Sequence, residues 1–127
     1  MQRGLLVVAA VFGFTAVAMG AFGAHAVADR VTAARLAVFQ TGAHYHLVHA
    51  VVLLVVAALP LYRPRLQRLA AAAFAVGIGI FSGSLYLLVL TDTAWLGAIT
   101  PIGGVCLLAG WACLAAAGIG ALRDGDR

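Results

Sequence analysis

The chain has 127 residues, 65% of them hydrophobic and only 9% charged, with a net charge of +4 and a mean hydropathy of +1.09. Soluble domains carry about 25% charged residues, so a water-soluble fold of this composition would expose apolar surface on every side and aggregate. A soluble globular protein is thereby excluded, and the length suits a single domain whose solvent is lipid.

Four stretches contain no Asp, Glu, Lys or Arg: Gly4 to Ala28, Leu36 to Tyr62, Leu69 to Thr91 and Thr93 to Leu122. Each exceeds the roughly 20 apolar residues that cross a hydrocarbon core of about 30 Å. In lipid every backbone N–H and C=O must be paired within its own segment, which predicts helices. The alternation of a membrane barrel strand is missing. The expected fold is therefore all-α: four transmembrane helices in an antiparallel bundle, over about 4–25, 40–61, 68–91 and 99–122.

In chain order, Arg3 and the apolar run to Ala24-His25-Ala26 imitate a secretory signal. The run is longer than the usual apolar region of about 7–15 residues, so it reads as helix 1. Between helices 1 and 2, Asp29 is placed to cap an outer-surface helix over 29–40, continuous with helix 2 or broken at Gly42. Pro60 and Pro64 bracket the next turn. Thr91-Asp92-Thr93 forms a polar turn with Trp95 at interfacial depth. Thr100-Pro101 either begins helix 4 as cap and first residue or kinks one longer helix.

All eight basic residues are arginines. Arg3, Arg63, Arg65, Arg68, Arg123 and Arg127 fall on one side of the four spans, Arg30 and Arg35 on the other. The positive-inside rule then places both termini in the cytoplasm of a multi-pass protein of the cytoplasmic (inner) membrane. The same charge tethers the chain to anionic lipid headgroups. No basic face interleaved with aromatics exists to bind nucleic acid.

Small residues mark packing seams: Ala9, Gly13, Ala16, Gly20 and Gly23 on helix 1, a Gly79–Gly83 pair on helix 3, and Cys106, Gly110 and Gly118 on helix 4. Cys106 and Cys113 lie two turns apart, about 10.5 Å, too far to pair as a disulfide.

Residues with chemistry gather toward one leaflet. His25 ends helix 1, and His44, His46 and His49 begin helix 2. His46 and His49 share a face, with His44 nearly opposite His46. Imidazole ligates metals and haem iron, so His25, His46 and His49 form a candidate metal site. Against it, the spacing lacks HxxxH and no carboxylate but Asp29 is near. The simpler reading is hydrogen bonding between helices. Ser82, Ser84 and Tyr86 put hydroxyls in the same half of helix 3, either bonded to backbone and neighbours or lining a polar cavity. Glu is absent, and all four Asp lie in loops or the tail. The lack of charge within the spans argues against an ion-coupled carrier, and no nucleophile and base can be assembled for hydrolysis. No catalytic residue is assigned.

Gly20-Ala-Phe-Gly-Ala-His25, Phe39-Gln-Thr-Gly with Tyr45-His46 and His49, Phe81-Ser-Gly-Ser-Leu-Tyr86, and Ile99-Thr-Pro-Ile-Gly-Gly104 followed by Gly110-Trp111 resemble the membrane family called domain of unknown function 423. Its eukaryotic relatives are known as transmembrane protein 256. The resemblance runs in order along nearly the whole chain and implies a four-helix membrane fold, without an activity. It matches Tyr45 and His49 better than His44 and His46, which singles out His25 with His49.

Two functional classes follow. The first is a non-enzymatic membrane protein that binds lipid or a hydrophobic small molecule, or serves as a homo-oligomer or subunit of a larger membrane complex. Its ligand or polar-cavity candidates are His25, Tyr45, His49, Ser84, Tyr86 and Thr100. The second is a haem or transition-metal redox module using His25 with His46 or His49. A small oligomeric transporter is the third reading.

Overall fold

The computed structural model describes residues 2–60 and 63–125. Among these every regular element is helical, and four helices are long and apolar enough to cross a membrane. They are α1 (Gln2–Phe22), α2 (Ala33–Ala58), α3 (Pro64–Thr91) and α4 (Thr100–Gly125). Bundle order follows chain order: α1 packs on α2, α2 on α3 and α3 on α4.

α1 runs directly into a π-helical turn, Gly23–Val27, closed by the Ala28 N–H on the Gly23 carbonyl at 3.1 Å. Glycine is required at its start. A Cβ on Gly23 would stand 2.7 Å from the ring of Phe39, which is 0% exposed beneath it.

α2 differs from expectation at its start. The expected surface helix is continuous with α2 and covers 33–40 rather than 29–40, and Asp29 makes no capping bond among the described residues. Thr32 is extended (φ −64°, ψ 159°) and its side chain accepts from the Arg35 N–H at 3.3 Å. This satisfies one of the orphan donors of a helix start, so α2 begins at Ala33 and passes unbroken through Gly42. It stops at Ala58 because Leu59 precedes Pro60 and is held extended (ψ 128°), the conformation that a following proline enforces. The expected end at residue 61 lies outside the described residues.

Pro64 occupies the first turn of α3, where its missing N–H costs nothing. Asp92 ends α3 in the left-handed region at φ 50°, a conformation that Asp tolerates better than most residues. Its carboxylate holds Arg35 at 3.0 Å. A 3-10 turn, Ala94–Ala98, then leads into α4, with Pro101 in the first turn of that helix. Pro101 therefore opens α4 rather than kinking a longer helix.

The close approaches are not all where the small-residue spacing put them. A Cβ on Gly79, Gly83, Gly13, Gly20 or Gly118 would meet nothing within 4 Å. The α3–α4 seam runs through Gly110, as expected, and through Gly77 and Gly103. A Cβ on Gly77 would lie 2.5 Å from Leu107 and one on Gly110 2.6 Å from Phe74, while one on Gly103 would overlap the Phe81 backbone. On α1 the seam residues Ala9, Ala16 and Gly23 are buried as expected.

Candidate functional site

The candidate residues separate into three links between helices and one groove. His46, 5% exposed, joins three helices. Its Nδ1 lies 2.9 Å from the Tyr86 hydroxyl on α3 and its Nε2 3.2 Å from Thr15 Oγ1 on α1. Thr15 in turn donates to the Val11 carbonyl at 2.9 Å. One assignment uses every proton once: Tyr86 O–H donates to Nδ1, Nε2–H donates to Thr15, and the Thr15 hydroxyl donates to the backbone. Reversing the chain leaves the Tyr86 proton without an acceptor among the described residues, which burial in lipid penalises.

His49 is equally buried and joins α2 to α4. The indole N–H of Trp111 donates to its Nε2 at 3.2 Å, and its Nδ1 lies 2.8 Å from the Tyr45 carbonyl. Indole only donates and a carbonyl only accepts. His49 is thus the neutral tautomer with its proton on Nδ1, and its one lone pair is given to Trp111.

That arrangement bears on the expected metal site. A metal or haem iron bound through His49 would have to displace the Trp111 N–H. His25 is exposed on the π-helical turn and makes no ring contact or hydrogen bond among the described residues. No group of three or more His, Cys, Asp or Glu is placed to hold a metal ion among them. His25, His46 and His49 are not brought together, because His46 and His49 are turned to different helices.

Ser84 and Thr100 form the third link, between α3 and α4. Their hydroxyls bond each other at 2.7 Å, and Ser84 also donates to the Phe81 carbonyl at 2.9 Å, fixing the start of α4 on α3. Ser82 donates to the Gly42 carbonyl at 2.7 Å. Gln67 ties α3 back to the end of α2 through the carbonyls of Val56 at 2.6 Å and Leu59 at 2.9 Å.

Tyr45 stands apart. It is 41% exposed, stacks on His49 at 5.9 Å and packs on Phe81 at 4.6 Å. Its hydroxyl makes no hydrogen bond among the described residues. Together Tyr45, His49, Phe81, Gly104, Leu108 and Trp111 line a lipid-facing groove of about 420 Å³ between α2, α3 and α4. Along their helices Tyr45, Phe81 and Trp111 sit about 18, 15 and 16 Å from the loop end, at 1.5 Å per residue. The groove therefore opens near mid-bilayer.

Thr15, Phe81 and Trp111 were not singled out from the sequence as site residues, although signals existed. Thr15 is the one hydroxyl-bearing residue of α1. Trp111 lies mid-helix, away from the interfaces where membrane Trp concentrates, a position that calls for a partner for its N–H.

Comparison with known proteins agrees with this architecture. The family model described as "Protein of unknown function (DUF423)" matches residues 19–104. The chain is 38% identical to the "UPF0382 membrane protein YwdK" of Bacillus subtilis (strain 168), over 90% of this chain and 94% of the relative. It is also 38% identical to the "UPF0382 inner membrane protein YgdD" of Escherichia coli (strain K12), over 96% and 92% of the two chains. A "UPF0382 membrane protein" of Haemophilus influenzae shares 38% identity over 91% and 93%. No solved structure matches. With both the family model and near full-length relatives in agreement, the chain belongs to the DUF423 family of membrane proteins.

Proposed function

We propose that this protein is a non-enzymatic component of the cytoplasmic membrane that binds an apolar small molecule in the groove between α2, α3 and α4. The observation that carries this reading is the pairing of a formed groove with one unpartnered polar group. Its volume, about 420 Å³, is within the roughly 300–1,000 Å³ of small-molecule sites. Its aromatic walls are held by the His49–Trp111 bond, and the Tyr45 hydroxyl is left to orient the occupant. Because that hydroxyl lies at hydrocarbon depth, the fitting class is a chain or ring with a carbonyl well away from any charged headgroup. Six arginines against two favour cytoplasmic termini.

Tryptophan emission tests the proposal. In a Trp95→Phe background Trp111 is the sole reporter, and titration with an isoprenoid ketone in detergent micelles should quench it saturably. Gly104→Leu places a side chain in the groove and should abolish saturation while thermal unfolding is unchanged. Equal, non-saturable quenching in both proteins would refute the proposal.

A further inference from the structure

A second pocket lies at the loop end of the bundle, opposite the termini and separate from the groove. It has a volume of about 440 Å³, and Phe22, Val27, Val89 and Leu90 make its apolar wall, with Arg30, Thr32, Arg35 and Asp92 at its rim. The rim charges are unbalanced. Arg35 Nη2 is held by Asp92 at 3.0 Å, which leaves most of the five guanidinium donors of Arg35 unused. Arg30 is exposed, and its side chain has no partner among the described residues. Two arginines and a single carboxylate, paired with Arg35 alone, thus line the pocket beside an apolar wall that continues onto the lipid-facing surface, where Phe22 and Leu90 are both exposed.

A rim of guanidinium donors suits phosphate, which arginine recognises through paired N–H groups. The adjoining wall suits an acyl chain, and neither feature alone needs the other. We infer that this pocket binds one anionic glycerophospholipid, its phosphate on Arg30 and Arg35 and a chain against Phe22, Val27 and Leu90. The lipid clamps the π-helical end of α1 to the Arg35–Asp92 pair between α2 and α3. This inference does not depend on the groove, since the two pockets share no residue.

Native mass spectrometry of the full chain, released from mild detergent with added phosphatidylglycerol, tests it. One retained lipid per chain is expected. Arg30→Gln, which breaks no side-chain hydrogen bond or ion pair among the described residues, should lower retention about fivefold, the factor carried by one basic residue at a membrane surface. Arg65→Gln at the opposite end should lower retention clearly less than Arg30→Gln, and the same variants should keep saturable Trp111 quenching. Equal retention in wild type and Arg30→Gln would overturn the inference. So would an equal loss in Arg65→Gln, which would mark a general charge effect, or full displacement by millimolar inorganic phosphate, which would mark a free-anion site.

Discussion

His46 and His49 differ by one turn and are turned to different helices. Their ring nitrogens bond residues 31, 40 and 62 positions away. Removing one partner should cost what interhelical bonds in lipid typically supply, about 0.6 kcal/mol and at most about 1.7. Tyr86→Phe leaves His46 Nδ1 without its donor and is expected near the upper end, read from unfolding in mild detergent. Thr15→Val acts on the same ring, so the double variant with Tyr86→Phe should be clearly non-additive, as for groups sharing one network. Additive losses would mean that the ring does not couple α1 to α3. Polar side chains in apolar helices are legible in a sequence, and Tyr45, His49, Ser84, Tyr86 and Thr100 stood out for that reason. Which of them pair is not legible, because each partner comes from another helix whose rotation the sequence leaves open.

At the scale of helices, the stops and starts follow local chemistry. Thr32 accepting from Arg35, Leu59 held extended before Pro60, and Pro64 and Pro101 in first turns each follow from one or two residues. Capping at Asp29 failed because Thr32, three residues on, supplies the accepting oxygen. Seams are harder to read. With 15 glycines in the chain, several small-residue spacings coexist, and only packing decides which is used. Gly103 faces the Phe81 backbone whereas Gly79 faces nothing. Gly103→Ala should therefore destabilise by about 1–3 kcal/mol, as overpacking does, while Gly79→Ala should stay within about 0.5 kcal/mol. The two midpoints, measured side by side in one detergent, check this. A reversed order would place the α3–α4 seam on the other face.

For the whole molecule, composition alone excluded water as the solvent, and the fold then followed from span lengths. The sidedness rests on arginine placement. A reporter enzyme active only outside the cytoplasm should be inactive when fused after Arg127 and active when inserted at Asp92. The opposite pattern would put the Arg30–Arg35 pocket in the cytoplasmic leaflet. The groove could not be read from the sequence, since it depends on α2, α3 and α4 meeting at one depth with Tyr45 on the outside and Trp111 folded back onto His49.

The proposed function requires that this groove, and not the lipid-facing surface in general, holds an apolar molecule. Photo-crosslinking in nanodiscs with a diazirine-bearing isoprenoid ketone, followed by peptide mapping, distinguishes the two. Labelling is expected to be confined to segments carrying Tyr45, Phe81 and Trp111, competed by unlabelled ketone and lost in Gly104→Leu. Labelling spread over the exposed faces of all four helices, uncompeted and equal in Gly104→Leu, would contradict it.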